Sequence, residues 1–459
     1  MVMLLSILRV LLESKMSKIY SRVKSYCLNL AMISACSIIL FQVTLVILTM
    51  TVKSSAQMHS DPTGDRNGGL ANLFDSWSKQ DYLTGDWGGL RDTLKAEGID
   101  IFGSYYATVL GNPIGGRAKG VSYAGFLDIF VKLDLEKLIG LGGSTFRIAG
   151  SWSSGRSLTG DFIGNYFNVS SAFNGDSVGL YQLYFEQSLF HDILNIALGR
   201  MATGDDFMTS PIFYNFVGLA FDQNPVSIFF NIPSFTVDPT STWGARAKVR
   251  PIRGFYAMFG VYDSNPNAGK QGFRNFHLAI NGEAFLIGEM GFSLNGDEDS
   301  NGLPGSYKLG GYYDTSKFST LSEPDSTKPG NYGLYLIMEQ MVYKETGDRS
   351  DQGLRPFLTF TLAPSDDINT FPFFFSTGMV YEGLFPNRDN DTTSFGFSYG
   401  KVSKDLLGQD FEMLVELTHM FKITPFLSVQ PDIQYIIHPG GSSEIPNAFV
   451  IGFGLNLNL

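Results

Sequence analysis

The sequence predicts an all-β chain closed into a transmembrane antiparallel β-barrel of about 16 strands, with a short N-terminal helix and a long inward-folded constriction loop. Three observations carry the prediction. The final segment alternates Phe449, Ile451, Phe453, Leu455, Leu457 and Leu459 with Val450, Gly452, Gly454, Asn456 and Asn458. A two-residue period with large apolar side chains on one face and small or polar ones on the other suits a strand between lipid and water. The 459 residues include 39 Phe, 21 Tyr and 51 Gly, residues of strands, interfacial girdles and tight turns. After Lys53 no run of 18 apolar residues occurs, which excludes helical membrane spans from that part of the chain.

The N-terminal stretch is set apart by its own pattern. Lys18, Arg22 and Lys24 precede an apolar run from Cys27 to Met50, and Ser54-Ser55-Ala56 supplies small residues; residues 1–56 read as a signal peptide, with an uncleaved anchor as the alternative. Met16 is an alternative start. Ile33-Ser34-Ala35-Cys36 resembles a lipobox, but the sequence stays apolar after Cys36, which argues against lipidation. Cys27 and Cys36 are the two cysteines, so a chain cleaved near Ala56 has no thiol for disulfide, metal or nucleophilic work. Residues 1–56 hold six Lys/Arg and one Glu, so the total of −11 becomes −16 for the remainder. Such a charge makes nucleic acid an improbable partner.

Residues 57–83 read as a flexible polar lead-in and 84–98 as a short periplasmic helix, with Asp86 as cap, Leu90 and Leu94 on one face and Gly98 as stop. The helix is expected either to dock against the barrel as a plug or to serve as a simple lead-in. The barrel domain is assigned to 99–459. Its sixteen strand candidates are 99–109, 122–135, 143–153, 178–189, 192–200, 241–251, 254–263, 279–294, 305–314, 331–344, 353–362, 372–383, 392–402, 410–421, 424–437 and 447–459. Short joints at Phe190-His191, Pro251 to Gly254 and Lys422-Ile423 suit periplasmic turns, while 154–177, 201–240, 264–278 and 315–330 suit external loops. Segment 201–240 carries four prolines and many aromatics and is too apolar to float in water, so part of it is expected to fold into the lumen.

Strand phase sorts side chains into lipid-facing and lumen-facing sets. Phe411, Met413, Val415, Leu417 and Phe421 face lipid, which turns Glu412 and Glu416 inward; Leu427, Val429, Ile433 and Ile437 do the same for Gln430, Asp432 and Gln434. With Trp243, Ala245 and Val249 outward, Arg246, Lys248 and Arg250 align in the lumen. The same rule places Asp128, Lys132, Arg147, Gln182, Tyr184 and Glu186 in water. Both signs of charge mixed with Tyr and Gln suit a neutral polyhydroxyl solute, because charged groups bond hydroxyls strongly and rings stack on sugar faces. An anion pore would instead want a lumen dominated by Lys and Arg.

No cofactor or metal is expected. In 296–302, Asp297, Asp299, Asn301 and Gly302 match the start of a calcium loop, but Lys308 stands where a bidentate Glu is required. His59, His191, His277, His419 and His438 show no paired ligand spacing, and no GxSxG occurs. Enzyme chemistry has little support.

Three strings, LTGDWGGLRDTLKAEGI (83–99), TWGARAKVRP (242–251) with FYAMFGVYDSNP (255–266), and SVQPDIQYIIHPGG (428–441), resemble signature segments of the carbohydrate-selective porins of the OprB type. The resemblance spans about 83–459. It implies a sixteen-stranded barrel in the bacterial outer membrane that passes glucose and related sugars by facilitated diffusion. LGRMATGDDF (198–207) is similar to the family segment entering the constriction loop, which implies that Arg200 lies near the pore throat, while Arg246 and Lys248 line its basic side. Loop 208–240 departs from typical members, and Leu459 stands where barrel proteins commonly end in Phe. Small sugars, outer-membrane lipid and the barrel-insertion machinery are the expected partners, with a homo-oligomer left open. A general diffusion pore with weak cation preference and a plugged structural or adhesive barrel are the alternative functions.

Overall fold

The computed structural model describes residues 76–459 except 174, 265–281, 297–301 and 346–351. The segment read as a signal peptide, the expected lead-in as far as residue 75, most of loop 264–278 and the calcium-like turn therefore lie outside the described residues. So do His59 and His277.

Closure of the sheet organises everything else. The strands are β1 (Ile99–Ile114), β2 (Val121–Asp134), β3 (Ser144–Gly155), β4 (Ser177–Leu189), β5 (Leu194–Met201), β6 (Thr242–Ile252), β7 (Phe255–Asp263), β8 (Ala284–Leu294), β9 (Gly305–Ser319), β10 (Thr327–Gln340), β11 (Tyr343–Lys344), β12 (Gly353–Leu362), β13 (Phe373–Glu382), β14 (Thr392–Lys401), β15 (Phe411–Thr424), β16 (Leu427–Ile437) and β17 (Ala448–Asn458). Neighbours pair antiparallel, and β17 returns to β1 in the register Ser104↔Asn458 to Gly111↔Ile451. The two-residue β11 continues the line of β10 against β12. The result is a closed antiparallel barrel of sixteen staves, with no free edge to aggregate. No helix among the described residues is long and apolar enough to cross a membrane.

Side-chain phase is continuous around the wall. Asp128 is opposite Ser151, Arg147 opposite Tyr184, Glu186 opposite Ala197, and Glu416 opposite Gln434, so one inward row passes from strand to strand. Outward positions such as Val121, Ile129, Leu198, Met290, Leu334, Leu417, Ile451 and Phe453 are exposed, the surface a lipid-facing band requires. Phe453→Arg should cost about 2–4 kcal/mol, the range for a cation placed near the bilayer midplane. Folding titrations of wild type and variant in urea would check it; equal midpoints would mean that this face is not in lipid.

The strand assignments differ from expectation at a few ends. β1 runs on to Ile114, β15 continues to Thr424 so that the turn falls at Pro425-Phe426, and most of 315–330 belongs to β9 and β10. Helix α1 is shorter than expected, Leu90–Ala96. Asp86 is not its cap: Oδ1 accepts from the Gly88 amide at 3.0 Å, and Gly89 occupies the cap position at φ 86°. Gly98, at φ +98°, ends the turn, and its carbonyl accepts from Asp134 N–H at 2.8 Å.

The helix docks by a different residue from the one its apolar pattern suggests. Leu90 is exposed, whereas Arg91 is buried and donates to the Leu459 carbonyl at 2.9 Å, with its guanidinium 3.8 Å from the Tyr82 ring centre and 4.5 Å from that of Trp87. Leu83 N–H donates to the Asn458 carbonyl at 2.8 Å, and Trp77 packs on Phe426 at 4.8 Å between ring centres. Segment 77–98 thus clasps the last strand at the short-turn end of the barrel.

Two loops fill much of the interior. In the β5–β6 loop, 202–241, the residues Phe207, Met208, Phe213, Phe216, Val217, Phe221, Val226, Ile228 and Ile232 are buried. They pack on inward Phe285, Ile287, Tyr312, Ile337, Phe357, Phe374, Leu414 and Ile436. This loop therefore packs against the inner face of the wall. The β3–β4 loop, 156–176, was expected outside but also turns inward, burying Ile163, Phe167 and Val169. It joins the longer loop through Ser171 N–H to Val217 O at 3.0 Å and Leu219 N–H to Asn168 O at 2.8 Å. A loop with this apolar content is stable only against another apolar surface.

Candidate functional site

The two loops pack toward β7–β17 and leave a cavity of about 520 Å³ along the wall formed by β1–β6. Asp128, Arg147, Gln182, Tyr184 and Glu186 line it from β2–β4, and Arg246, Lys248 and Arg250 from β6. The loop closes the other side with Asp205, Asp206, Tyr214, Gln223, Asn224 and Asp238. Four cations on the strand wall therefore meet three aspartates on the loop. Low-dielectric walls concentrate the field between such groups.

Local contacts fix the charged side chains. Arg246 is 6% exposed and contacts both Asp206 carboxylate oxygens at 3.1 Å, while its Nη1 donates to Asn195 Oδ1. Arg246 was expected to project freely into water; the structure instead ties it to the root of the loop. Asn195 Nδ2 donates to Glu186 at 2.8 Å, and Arg147 Nε lies 3.7 Å from the same carboxylate. Gln182 donates to Asp205. Lys248 sits 4.0 Å above the Tyr256 ring centre, a cation–π contact. On the loop, burial and the neighbouring Asp128 carboxyl hold the Asp238 carboxyl well above the usual range.

An aromatic strip completes the wall. Phe102 and Phe130 stack at 4.8 Å and 11°, and Tyr181 meets Phe130 edge-on at 6.2 Å. Phase reasoning passed over Tyr181, because the register shifts between Ala149 and Gly150 and Tyr181 is the extra residue on β4. Asn195 was missed as well, although β5 has a clear alternation that points it inward. The loop residues have no strand phase, so Asp205, Asp206, Tyr214, Asn224 and Asp238 could not be assigned from a two-residue period.

The remaining expected pore residues lie elsewhere. Glu412 accepts from the amides of Tyr166, Phe167 and Gly440 at 2.6–3.0 Å, and Glu416 accepts from Val217 at 2.7 Å and Gly218 at 3.1 Å. Gln430 donates to Asn215 O at 3.0 Å; Gln434 donates to Val169 O and to Asp432, both at 2.8 Å. These five face inward as phase predicted, but all are buried under the loops and do not line the cavity. Lys132 is half-buried between Asp100 and Arg147 on the neighbouring strands, outside the cavity lining. Arg200 pairs with Leu183 and Trp243 of the outward set, and its Nε donates to Ser241 at 2.7 Å. It is buried beside the loop root and does not line the cavity.

Two further carboxyl anchors and one lysine hold the loop. Glu289 accepts from Met208 N–H at 3.1 Å, from Tyr256 at 2.6 Å and from Tyr335 at 2.8 Å. Asp314 accepts from Ser234 and Ser264, and Lys308 Nζ donates to Thr209 O at 2.6 Å. With Glu416 these contacts pin the loop on the wall opposite the cavity. No group of three or more His, Cys, Asp or Glu among the described residues is arranged to hold a metal ion.

Residues 118–459 match the model of the carbohydrate-selective porin, OprB family. The chain belongs to that family. The matched part starts in the β1–β2 turn, so it holds the TWGARAKVRP and SVQPDIQYIIHPGG strings but not α1. Porin B of Pseudomonas aeruginosa is 28% identical over 429 residues, covering 83% of this porin and 92% of the relative. A putative porin QuiX of Acinetobacter baylyi is 26% identical, covering 85% and 95%. A high-pH structure of Pseudomonas putida OprB superposes with a TM-score of 0.77 at 28% identity, over 83% of this porin and 99% of that chain. The porin is therefore a sixteen-stranded barrel of the bacterial outer membrane, in a family of channels rather than enzymes.

Proposed function

We propose that the cavity between β1–β6 and the inward loop is the selective passage for monosaccharides, glucose-like in size, which cross by facilitated diffusion without energy input. The observation that carries this reading is that four wall cations and three loop carboxyl groups line one cavity of about 520 Å³ beside an aromatic strip. That volume falls within the roughly 300–1,000 Å³ common for small-molecule sites. A hexose presents hydroxyls around its rim and C–H groups on its faces. Guanidinium and ammonium groups donate to the hydroxyl oxygens, Asp and Glu accept from the hydroxyl protons, and the rings cover the C–H faces.

Fixed donors and acceptors replace the solute's hydration shell in transit, and release stays fast because the contacts are many and individually modest. Loop 202–241 acts as the constriction. At the constriction, loop Asp206 and wall Arg246 set the position of the loop root, while Glu186, Lys248 and Tyr184 on the wall contact solute.

Swelling of liposomes carrying the porin should be rapid in a hexose and slow in a trisaccharide. Equal rates for both would favour an unselective pore. Glu186→Ala should raise the half-blocking concentration of a hexose about tenfold, the loss of one charge-assisted hydrogen bond of about 1.5 kcal/mol. Heat-modified gel mobility should stay that of wild type; unchanged block would remove Glu186 from the solute path.

A further inference from the structure

The outer surface carries a feature that solute passage does not use. Where β1, β2 and β17 meet at the long-loop end, an apolar groove of about 540 Å³ opens on the outside of the barrel. Its walls are Val109, Val121, Ile451 and Phe453, and Gly111, in register with outward Ile451 and Val121, leaves it deep. The register of β1 on β17 shifts between Gly111 and Ile114, a bulge that bends the strand away at this point. Val121 is 69% and Phe453 45% exposed, so nothing among the described residues covers the groove.

A cation stands at its rim. Lys119 lines the groove, is exposed, and has no ion-pair partner among the described residues. The turn that carries it is built rather than loose. Buried Asn112 donates to Gly115 O at 3.0 Å and Ala118 O at 2.7 Å, and accepts from Gly120 N–H at 3.0 Å. Ala118 N–H donates to Phe162 O at 2.8 Å, which ties the turn to the β3–β4 loop.

We propose that this groove is a binding site for a phosphate-bearing lipid, with one acyl chain in the trough and the lipid phosphate on Lys119. The trough faces hydrocarbon, its lining is apolar, and the cation sits at the long-loop end where a headgroup would lie. Residues 109–121 include Arg117 and Lys119 and no acid, and 448–454 include no charge. Two copies meeting face to face across the groove would bring these cations together without a partner, because a two-fold contact apposes the same patch to itself. Charge complementarity therefore favours the lipid.

Native mass spectrometry of the purified, detergent-solubilised barrel tests the site, with dipalmitoyl phosphatidic acid as probe and dipalmitoylglycerol as the phosphate-free match. One phosphatidic acid should remain per barrel, and retention should fall about fivefold in Lys119→Glu, the effect of one cation at a lipid surface. Val121→Trp should lower it by filling the trough, with Ile451→Trp as the substitute if that variant does not fold. Lys344→Glu, at the short-turn end, should change nothing. Equal retention in Lys119→Glu and Lys344→Glu, equal retention of dipalmitoylglycerol, or displacement of the lipid by inorganic phosphate alone would overturn the proposal. So would a dimer abolished by Val121→Trp, which would make the groove a contact between copies.

Discussion

Deleting residues 208–232 and bridging the ends with a short Gly/Ser linker should raise single-channel conductance severalfold and abolish block by a hexose. The segment supplies Met208, Phe213, Phe216, Val217, Phe221, Val226 and Ile228 to the packed interior and Tyr214, Gln223 and Asn224 to the cavity. Without it much of the inward face of β7–β17 meets water, the β3–β4 loop still covering Phe374 and Glu412. The strand ladder should persist, because it closes on itself through β1 and β17 without help from the loop. Planar-bilayer recordings and circular dichroism together give the result. Unchanged conductance with intact strand signal would show that the loop does not set the passage width.

Glu416→Ala should have the second largest effect. Its carboxylate receives the Val217 and Gly218 amides, and a Cβ on Gly218 would stand only 2.6 Å from Glu416 Oε2, so the backbone approaches as closely as glycine allows. Removing the acceptor leaves two buried N–H groups unpaired, at about 1–3 kcal/mol each. The loop should lift from β15, with frequent transitions to a higher-conductance level and faster proteolysis within 202–241. Gln at the same position keeps one carbonyl acceptor and should give an intermediate phenotype. A quiet channel of wild-type conductance in Glu416→Ala would mean that Glu289 and Asp314 hold the loop unaided.

The strands were the legible part of this chain because their period is two and they are bounded by turns. All sixteen candidates have a counterpart, and the phase taken from outward Leu417 and Ile433 turns Glu416 and Gln434 inward as expected. Phase gives direction but not surroundings. Glu412 and Glu416 point into the barrel, yet what they meet is loop backbone, and no periodicity reports where a loop as long as 202–241 will lie. A clue was present in the apolar inward positions: Leu414, Ile436, Phe285 and Ile287 alternate with outward residues that are also apolar. A strand apolar on both faces inside a barrel implies that something covers the inner face. The same logic applies to Phe167 and Val169, whose apolar character should have drawn the β3–β4 loop inward.

At the site, the wall was readable and the loop was not. Arg147, Glu186, Arg246 and Lys248 follow from strand phase, whereas Asp205, Asp206 and Asp238 depend on a fold that only tertiary packing fixes. Arg200 misled for a related reason. Its string resembles the family segment, but register with Leu183 and Trp243 puts it in the outward set beside the loop root.

The most direct measurement is the ion current through a single reconstituted barrel as a neutral hexose is added. A passage built from the β1–β6 wall and loop aspartates should show current falling in a saturable way at millimolar hexose, with the half-block shifted upward in Glu186→Ala. Current that stays constant at every hexose concentration, in a barrel that conducts and is correctly folded, would contradict selective binding in this cavity.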